Sequence, residues 1–361
     1  MSAPHFWLRM KKIERVALAS ALGVLAVTTF LACSQDPSQA GFNSALRTRY
    51  LYVASGSCYA GGAPVSTGNS TITKFDIETG AFAGLVADYN TYGNGDQPAS
   101  VVNFDSANLL VAIENAAGRR IDMLNRNGSA PTTYVSNATA LNGILRHISV
   151  LPDASILVTK ASAIEKFTAG RARVTQGALA YIVAPAAPCA TSTSAMTSTT
   201  LLPNGKIVFT HAAATPNNLV GIISSTGYAS AANCLSGTAA PTTTSLPTSS
   251  LYVPSAAKLL VAYGSSTATS NVIQSYDVDL AAGSLSNEVE AFNDQTIVSG
   301  PTRMVQDAST GFIFVANGSS GLNNVEKFTL AGDGTLTKVG TVPFVTSSVY
   351  TRCITSLEVG P

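Results

Sequence analysis

The stretch Gly311–Gly340, GFIFVANGSSGLNNVEKFTLAGDGTLTKVG, decides how the rest of the chain is read. Residues 312–316 are apolar and aromatic, β-branched or small. Gly318–Asn324 reads as a loop, and Val325–Leu330 alternates apolar with polar. Gly332-Asp333-Gly334 is a turn into a further short strand. This is the pattern of a β-meander, and five further copies can be aligned with it by hand.

Two columns carry the alignment. In the first, an apolar residue precedes a small one: Val53-Ala54, Val111-Ala112, Val158-Thr159, Phe209-Thr210, Val261-Ala262 and Val315-Ala316. In the second, two apolar residues stand three apart: Ile72/Phe75, Ile121/Leu124, Ile164/Phe167, Val220/Ile223, Ile273/Tyr276 and Val325/Phe328. A glycine follows each copy, at Gly80, Gly128, Gly170, Gly227, Gly283 and Gly334, where a tight turn needs a positive φ. Successive copies of the first column lie 58, 47, 51, 52 and 54 residues apart. Periods near 50 residues with short strands are those of propeller blades.

The two ends are complementary. Other copies begin with an innermost strand, read at Ser100–Asp105, Arg146–Leu151 and Arg303–Asp307, whereas Leu51–Ala54 has none before it. At the far end Arg352–Val359 is an innermost strand with nothing after it. Joined, they complete one blade and remove the exposed sheet edges. The expectation is an all-β chain forming a single β-propeller of six blades, with seven as the alternative, closed by pairing the C-terminal strand with the N-terminal ones.

Composition fits an exported β protein. Of 361 residues only 11% are charged, the formal net charge is +1, and no basic patch offers a nucleic-acid surface. No composition shift divides the chain beyond its tether, so residues 49–361 read as one propeller domain.

The first residues read as a targeting signal. Met10-Lys11-Lys12 opens a basic region, Val16–Phe30 is an apolar run of 15 residues, and Phe30-Leu31-Ala32-Cys33 ends it. The run is short for a membrane span. Met10 is a normal beginning for such a signal, which suggests the true start. The closing tetrad resembles the lipobox of bacterial lipoproteins, with Phe30 where the family prefers leucine. That resemblance implies cleavage after residue 32, lipidation of Cys33 (palmitate among the acyl chains) and a tether over 33–48. Cleavage by the ordinary signal peptidase is the alternative. Ser34 in place of aspartate implies sorting to the outer membrane, on its periplasmic or its surface face.

Four further cysteines, Cys58, Cys189, Cys234 and Cys353, allow three pairings. The ring places Cys58 beside Cys353 at the seam and Cys189 near Cys234 on one rim. An oxidising compartment permits both bonds. Four buried free thiols are the alternative.

Phe312–Gly340 resembles the repeats of lactonase-like and YVTN-type seven-bladed propellers through Phe314-Val315-Ala316-Asn317 and Gly334-Thr335-Leu336-Thr337. The resemblance implies the propeller fold and, for activity, a lactonase-like hydrolysis at the channel mouth. A metal-dependent lactonase needs converging carboxylates and asparagines, for which Asn103, Asp105, Glu114 and Asn317 are the candidates. Asp105 aligns with Pro152 and Pro203 and reads as a turn residue. Asn94-Gly95-Asp96 and Asp333-Gly334 read as ordinary turn pairs.

Residues following the Val-Ala column form a ring on one rim: Ser55, Ile113, Lys160, His211, Tyr263 and Asn317, with Glu114 one step on. Glu114, Lys160, His211, Tyr263 and Asn317 are therefore the binding candidates, suited to a polar or anionic ligand, with His211 or Glu114 as the general base of a hydrolysis. His147 falls in an inner strand. The long excursion Gly56–Asn69 stands on the same rim, and the opposite rim should hold short turns only. No nucleophile elbow, zinc helix, phosphate loop or calcium loop occurs, so no catalytic residue, metal or cofactor is assigned. The reading is a non-catalytic binding or scaffold module of the cell envelope, outer-membrane-anchored or periplasmic, whose partner is an envelope protein or a glycan. A lactonase-like hydrolase is the alternative.

Overall fold

The computed structural model describes residues 49–361 apart from 57–58, 61–62, 65–69, 93–94, 116–117, 137–138, 176–180, 184–195, 213–218, 224–244, 265–270, 320–321 and 347–352. The chain divides into two units, Met1–Leu46 and Arg47–Pro361, and the second carries the fold. The signal, Cys33, the tether, Cys58, Cys189, Cys234, Gly227 and most of the Gly56–Asn69 excursion lie outside the described residues.

The two sequence columns meet in space. In every copy the small residue of the first pairs with the leading apolar residue of the second: Ala54 with Ile72, Ala112 with Ile121, Thr159 with Ile164, Thr210 with Val220, Ala262 with Ile273, and Ala316 with Val325. Gly221 shows how tight this layer is, since a Cβ there would stand 2.5 Å from the Phe209 ring.

Six of the antiparallel sheets that result are blades, and a seventh is the two-stranded pair Tyr59–Ala60 and Ala63–Pro64. From the inside outward, blade 1 is Ile354–Gly360, Tyr50–Ser55, Thr71–Asp76 and Phe82–Asp88. Blade 2 is Gln97–Asn103, Asn108–Glu114, Arg120–Asn125 and Thr132–Val135. Blade 3 is Leu145–Val150, Ile156–Lys160, Ala163–Phe167 and Arg173–Val174, with Ile182–Val183 also on its third strand. Blade 4 is Met196–Leu201, Ile207–His211 and Leu219–Ile223. Blade 5 is Leu246–Val253, Lys258–Gly264, Val272–Asp279 and Ser284–Phe292. Blade 6 is Pro301–Gln306, Ile313–Ser319, Leu322–Leu330 and Leu336–Lys338.

Each innermost strand touches the innermost strand of the next blade, and Pro301–Gln306 touches Ile354–Gly360 to close the ring. The strand latest in the chain thus completes the blade begun by the first, as the two incomplete ends require. Arg49 ties the entry of that blade to Asp307 in the turn of blade 6.

The core is not one mass but six apolar slabs, one between each pair of neighbouring blades. Tyr52, Ile72, Val101 and Leu109 pack between blades 1 and 2, for example, and Leu51, Phe314, Val325 and Leu357 between blades 6 and 1. Both faces of a blade are therefore buried, which is why apolar residues can stand three apart in its third strand.

Near their starts all six inner strands break register by one residue, at Ala99, Arg146, Thr197, Thr248, Thr302 and Thr355. Such a bulge turns its side chain out of the ladder. Four of these positions are threonine, and each hydroxyl donates to a backbone carbonyl of the next blade: Thr355 to Pro98 at 2.7 Å, Thr197 to Pro247 at 2.9 Å, Thr248 to Pro301 at 2.6 Å and Thr302 to Ile354 at 2.8 Å.

Several sequence expectations shift. The loop expected over Gly318–Asn324 is largely strand, because the ladder runs on to Ser319 opposite Leu322 and the asparagine side chains find partners. The inner strands begin earlier than read, at Gln97, Leu145 and Pro301, while the closing strand begins later, at Ile354. Pro98 and Pro301 are tolerated at strand starts, where a missing N–H breaks no ladder bond. Positive φ is found at Gly80, Gly128, Gly283 and Gly334, but in blade 3 it falls on Arg171 instead of Gly170. Asp96 is no ordinary turn residue, for it is buried against Arg120 and Asn115.

Thr302 contributes one hydroxyl bond to its neighbour, and valine keeps its shape. Thr302→Val is expected to lower unfolding free energy by about 1 kcal/mol, read as a lower urea midpoint at unchanged slope. A midpoint that does not move would contradict the role given to this hydroxyl.

Candidate functional site in the channel

The ring expected on the rim is present as a level of the fold but is not open. Ser55, Ile113, His211, Tyr263 and Asn317 are 0% exposed and Lys160 is 4%. Lys160 Nζ donates to the Ala140 carbonyl at 2.7 Å and pairs with Glu165 at 2.9 Å, and Arg173 holds the other oxygen of Glu165. The Tyr263 hydroxyl meets that of Tyr276 at 3.0 Å, and burial raises its pKa. Asn317 accepts from Ser299 N–H and donates to Ile297 O and Asn324 Oδ1. Glu114 accepts from Arg119 and from Leu145 N–H, with burial holding its carboxyl above the ordinary range. Burial corrects the expectation of an exposed rim, because both sheet faces are covered at this level. The residues fasten strand ends inside the blades.

The metal candidates do not converge either. Asn103 lies on an inner strand, Asp105 caps its own turn by accepting from Ala107 and Asn108 N–H, and Glu114 and Asn317 belong to separate blades. Among the described residues no group of three or more His, Cys, Asp or Glu is placed to hold a metal ion. On the opposite rim, the first-to-second-strand turns of blades 2 to 6 are short.

What remains open to chemistry is the channel. After each bulge, one inner-strand residue pairs with the small column: Ser356, Ser100, His147, Ser198, Ser249 and Arg303 for blades 1 to 6 in turn. Most of these side chains accept an N–H from the following blade. Ser356 accepts from Val101 at 3.3 Å, Ser100 from Ile148 at 3.2 Å, His147 Nδ1 from Thr199 at 3.4 Å and Ser249 from Met304 at 3.2 Å. Ser198 meets the Ser250 hydroxyl at 3.0 Å.

Arg303 cannot accept, and it is the exception. Its Nε has no hydrogen-bond partner, and among the described residues no carboxylate lies within ion-pairing distance of it. Burial brings its guanidinium pKa down to about 10, against the pull of Glu358. His147 is 4% exposed, and its Nε2 is also unpartnered. Burial and then the Arg303 charge hold its pKa well below the usual imidazole value, so it is neutral at physiological pH.

One step along the channel, Glu358 on the closing strand is fixed by Asn103, whose Nδ2 reaches its carboxylate and the Val359 carbonyl. Arg126 Nη2 in turn donates to Asn103 Oδ1 at 2.6 Å. Arg126 also lines a cleft of about 430 Å³ with Tyr50, Tyr52, Lys74 and Asn125. Sequence reasoning missed Arg303 and Glu358. Their signal was available in the column after the bulge, where serine recurs and only His147 and Arg303 depart.

Burial pushes the Glu358 carboxyl up to about 7 from an ordinary value of 4.5, while Arg303, Asn103 and Arg126 pull it down. The folded chain therefore holds this proton more tightly than the unfolded one. The stability it provides is complete below the ordinary value and is lost as pH rises through neutrality. Glu358→Gln removes that dependence. Between about pH 4 and about pH 8 the unfolding free energy of the variant relative to wild type should move in its favour by about 3 kcal/mol, measured by urea titration. A constant difference would show that Glu358 titrates alike in the folded and unfolded chains.

No protein-family profile matches the chain, and no curated protein sequence does. Solved structures do resemble it. A chain from the crystal structure of a nidogen/laminin complex superposes with a TM-score of 0.60 at 12% identity, over 87% of this chain and 98% of its own. A Bacteroides caccae protein of unknown function gives 0.54 at 15% identity, over 87% and 99%. A gluconolactonase from Xanthomonas campestris follows at 0.48 and 13% identity, over 68% and 75%, a likeness too slight to argue from. At these identities the likeness shows the fold alone, which is a six-bladed β-propeller.

Proposed function

We propose that the chain is a lipoprotein of the bacterial cell envelope, anchored through Cys33, whose propeller is a non-catalytic binding module with its seat in the channel. The observation that carries this is that two of the buried nitrogens without a hydrogen-bond partner among the described residues, His147 Nε2 and Arg303 Nε, start from one level of the inner strands, whereas Glu114, Lys160 and Asn317 are engaged in internal bonds. Buried polar groups are seldom left so without a ligand to meet them.

The same geometry argues against a hydrolase. The hydroxyl nearest the imidazole, Thr199 Oγ1 at 3.3 Å from His147 Nδ1, belongs to a residue 1% exposed and is shared with Thr159 at 2.9 Å. No acyl group can reach it, and nucleophilic catalysis needs that approach. Anchoring and export rest on the residues ending at Cys33 and on the oxidising compartment they imply. The Cys353 carbonyl accepts from Gly56 N–H at 3.2 Å, two residues before Cys58 in the chain, which supports Cys58 as the disulfide partner of Cys353 across the seam.

Three measurements test the proposal. Cys33→Ala should move the protein from the membrane to the soluble fraction without unfolding it and abolish incorporation of labelled palmitate. Cys58→Ser should lower the melting temperature, since a bond closing nearly the whole ring stabilises by on the order of 3–5 kcal/mol. Crosslinking in intact envelopes should capture one defined protein or glycan, while purified protein shows no lactone hydrolysis. Measurable turnover of a lactone would replace the binding-module reading with the hydrolase.

A further inference from the structure

We propose that His147 and Arg303 together bind a small oxyanion, a carboxylate or a phosphate, across the central channel. This rests on the binding-module reading and names the chemistry of its ligand.

The argument begins with position. His147 pairs with Thr159 and Arg303 with Ala316, the same small-residue column in each blade, so the two side chains start at one level. Blades 3 and 6 are three apart in a ring of six, hence face each other across the channel. Arg303 is long enough for its charge to act on the His147 ring, although they stand on opposite walls.

Protonation follows from the partners. His147 Nδ1 accepts from Thr199 N–H, so Nε2 carries the hydrogen of the neutral ring. That N–H and the Arg303 Nε–H are two donors without a hydrogen-bond acceptor among the described residues. A desolvated guanidinium needs a counter-charge, and an oxyanion supplies both the charge and the acceptor oxygens. Glu358 does not fill this role. Its carboxylate is taken by Asn103, and burial favours its neutral form. Arg146, exposed at the bulge of blade 3, and Arg126, which donates to Asn103 from the turn after Arg120–Asn125, carry further positive charge.

The residue types strengthen the case. Serine at this level bonds the next blade in four of the six positions, so the half-buried Arg303 replaces a stabilising acceptor with a charge that needs a partner. Such exceptions to a repeat's local rule mark function.

The repeat also supplies the test. Arg303→Ser and His147→Ser give these blades the residue that others carry, and both should fold. The full chain in detergent is titrated with sodium phosphate and, separately, sodium acetate, against sodium chloride at matched ionic strength. Wild type should gain several degrees in melting temperature with at least one of them, and calorimetry should give a saturable site. Arg303→Ser should lose the shift and weaken binding at least tenfold, and His147→Ser should weaken it less. A stronger response to phosphate identifies a tetrahedral anion, and a stronger response to acetate a carboxylate. No response in wild type, or an equal response in Arg303→Ser, overturns the inference. Envelope capture by wild type is scored separately, so an absent anion response with retained capture rejects this ligand alone.

Discussion

A propeller stands or falls on how its innermost strands hold one another, because nothing fills the axis to support them. Here the support comes from a side-chain oxygen passed from blade to blade. Between blades 1 and 2, 4 and 5, and 5 and 6, a bulge threonine donates to a carbonyl of the next strand, and the serine after it bonds there too. Each bond contributes only about 1 kcal/mol. Their effect is to fix the angle between neighbours, and six apolar slabs can then close on one another without gaps.

That constraint explains how much of the fold was legible. A bulge, a small residue opposite it and an apolar residue beyond form one row across each blade, and the last two are the aligned columns. Ala54 and Ile72, or Thr210 and Val220, recur at a steady interval because the row must recur. The first member escaped notice because threonine, serine and proline there resemble a loop. The inner strands were accordingly placed too late at Pro98 and Pro301.

The site was less legible for a physical reason. From sequence, Lys160, Glu114 and His211 read as an open rim because they follow the Val-Ala column, where each strand ends at one rim of the ring. The second column already argued otherwise. Apolar residues three apart on a strand point to opposite faces, so both faces are buried, and the residue between them shares a face with the second. Asp122, Glu165 and Glu326 occupy that place, and all are at most 2% exposed. Buried acids need cations, and Arg120, Lys160 with Arg173, and Lys338 supply them. Part of the charge in this weakly charged chain is thus used inside its blades, and an open rim of charge was never to be expected.

Subtracting these pairs leaves few charged groups without a structural task, and those in the channel are not spread evenly. Arg303 occupies the interface between blades 6 and 1, where the ring is joined from two ends of the chain. There the acceptor that serine, or His147 in blade 3, supplies after the bulge is missing, and the contact relies on Thr302, the paired closing strand and the tie from Arg49 to Asp307. Placing an unpaired guanidinium at the junction least able to spare a bond runs against stability. Residues that persist against stability do so where activity or binding needs them. The seam and the ligand seat are then one place, and an anion bound there would steady the closure from within.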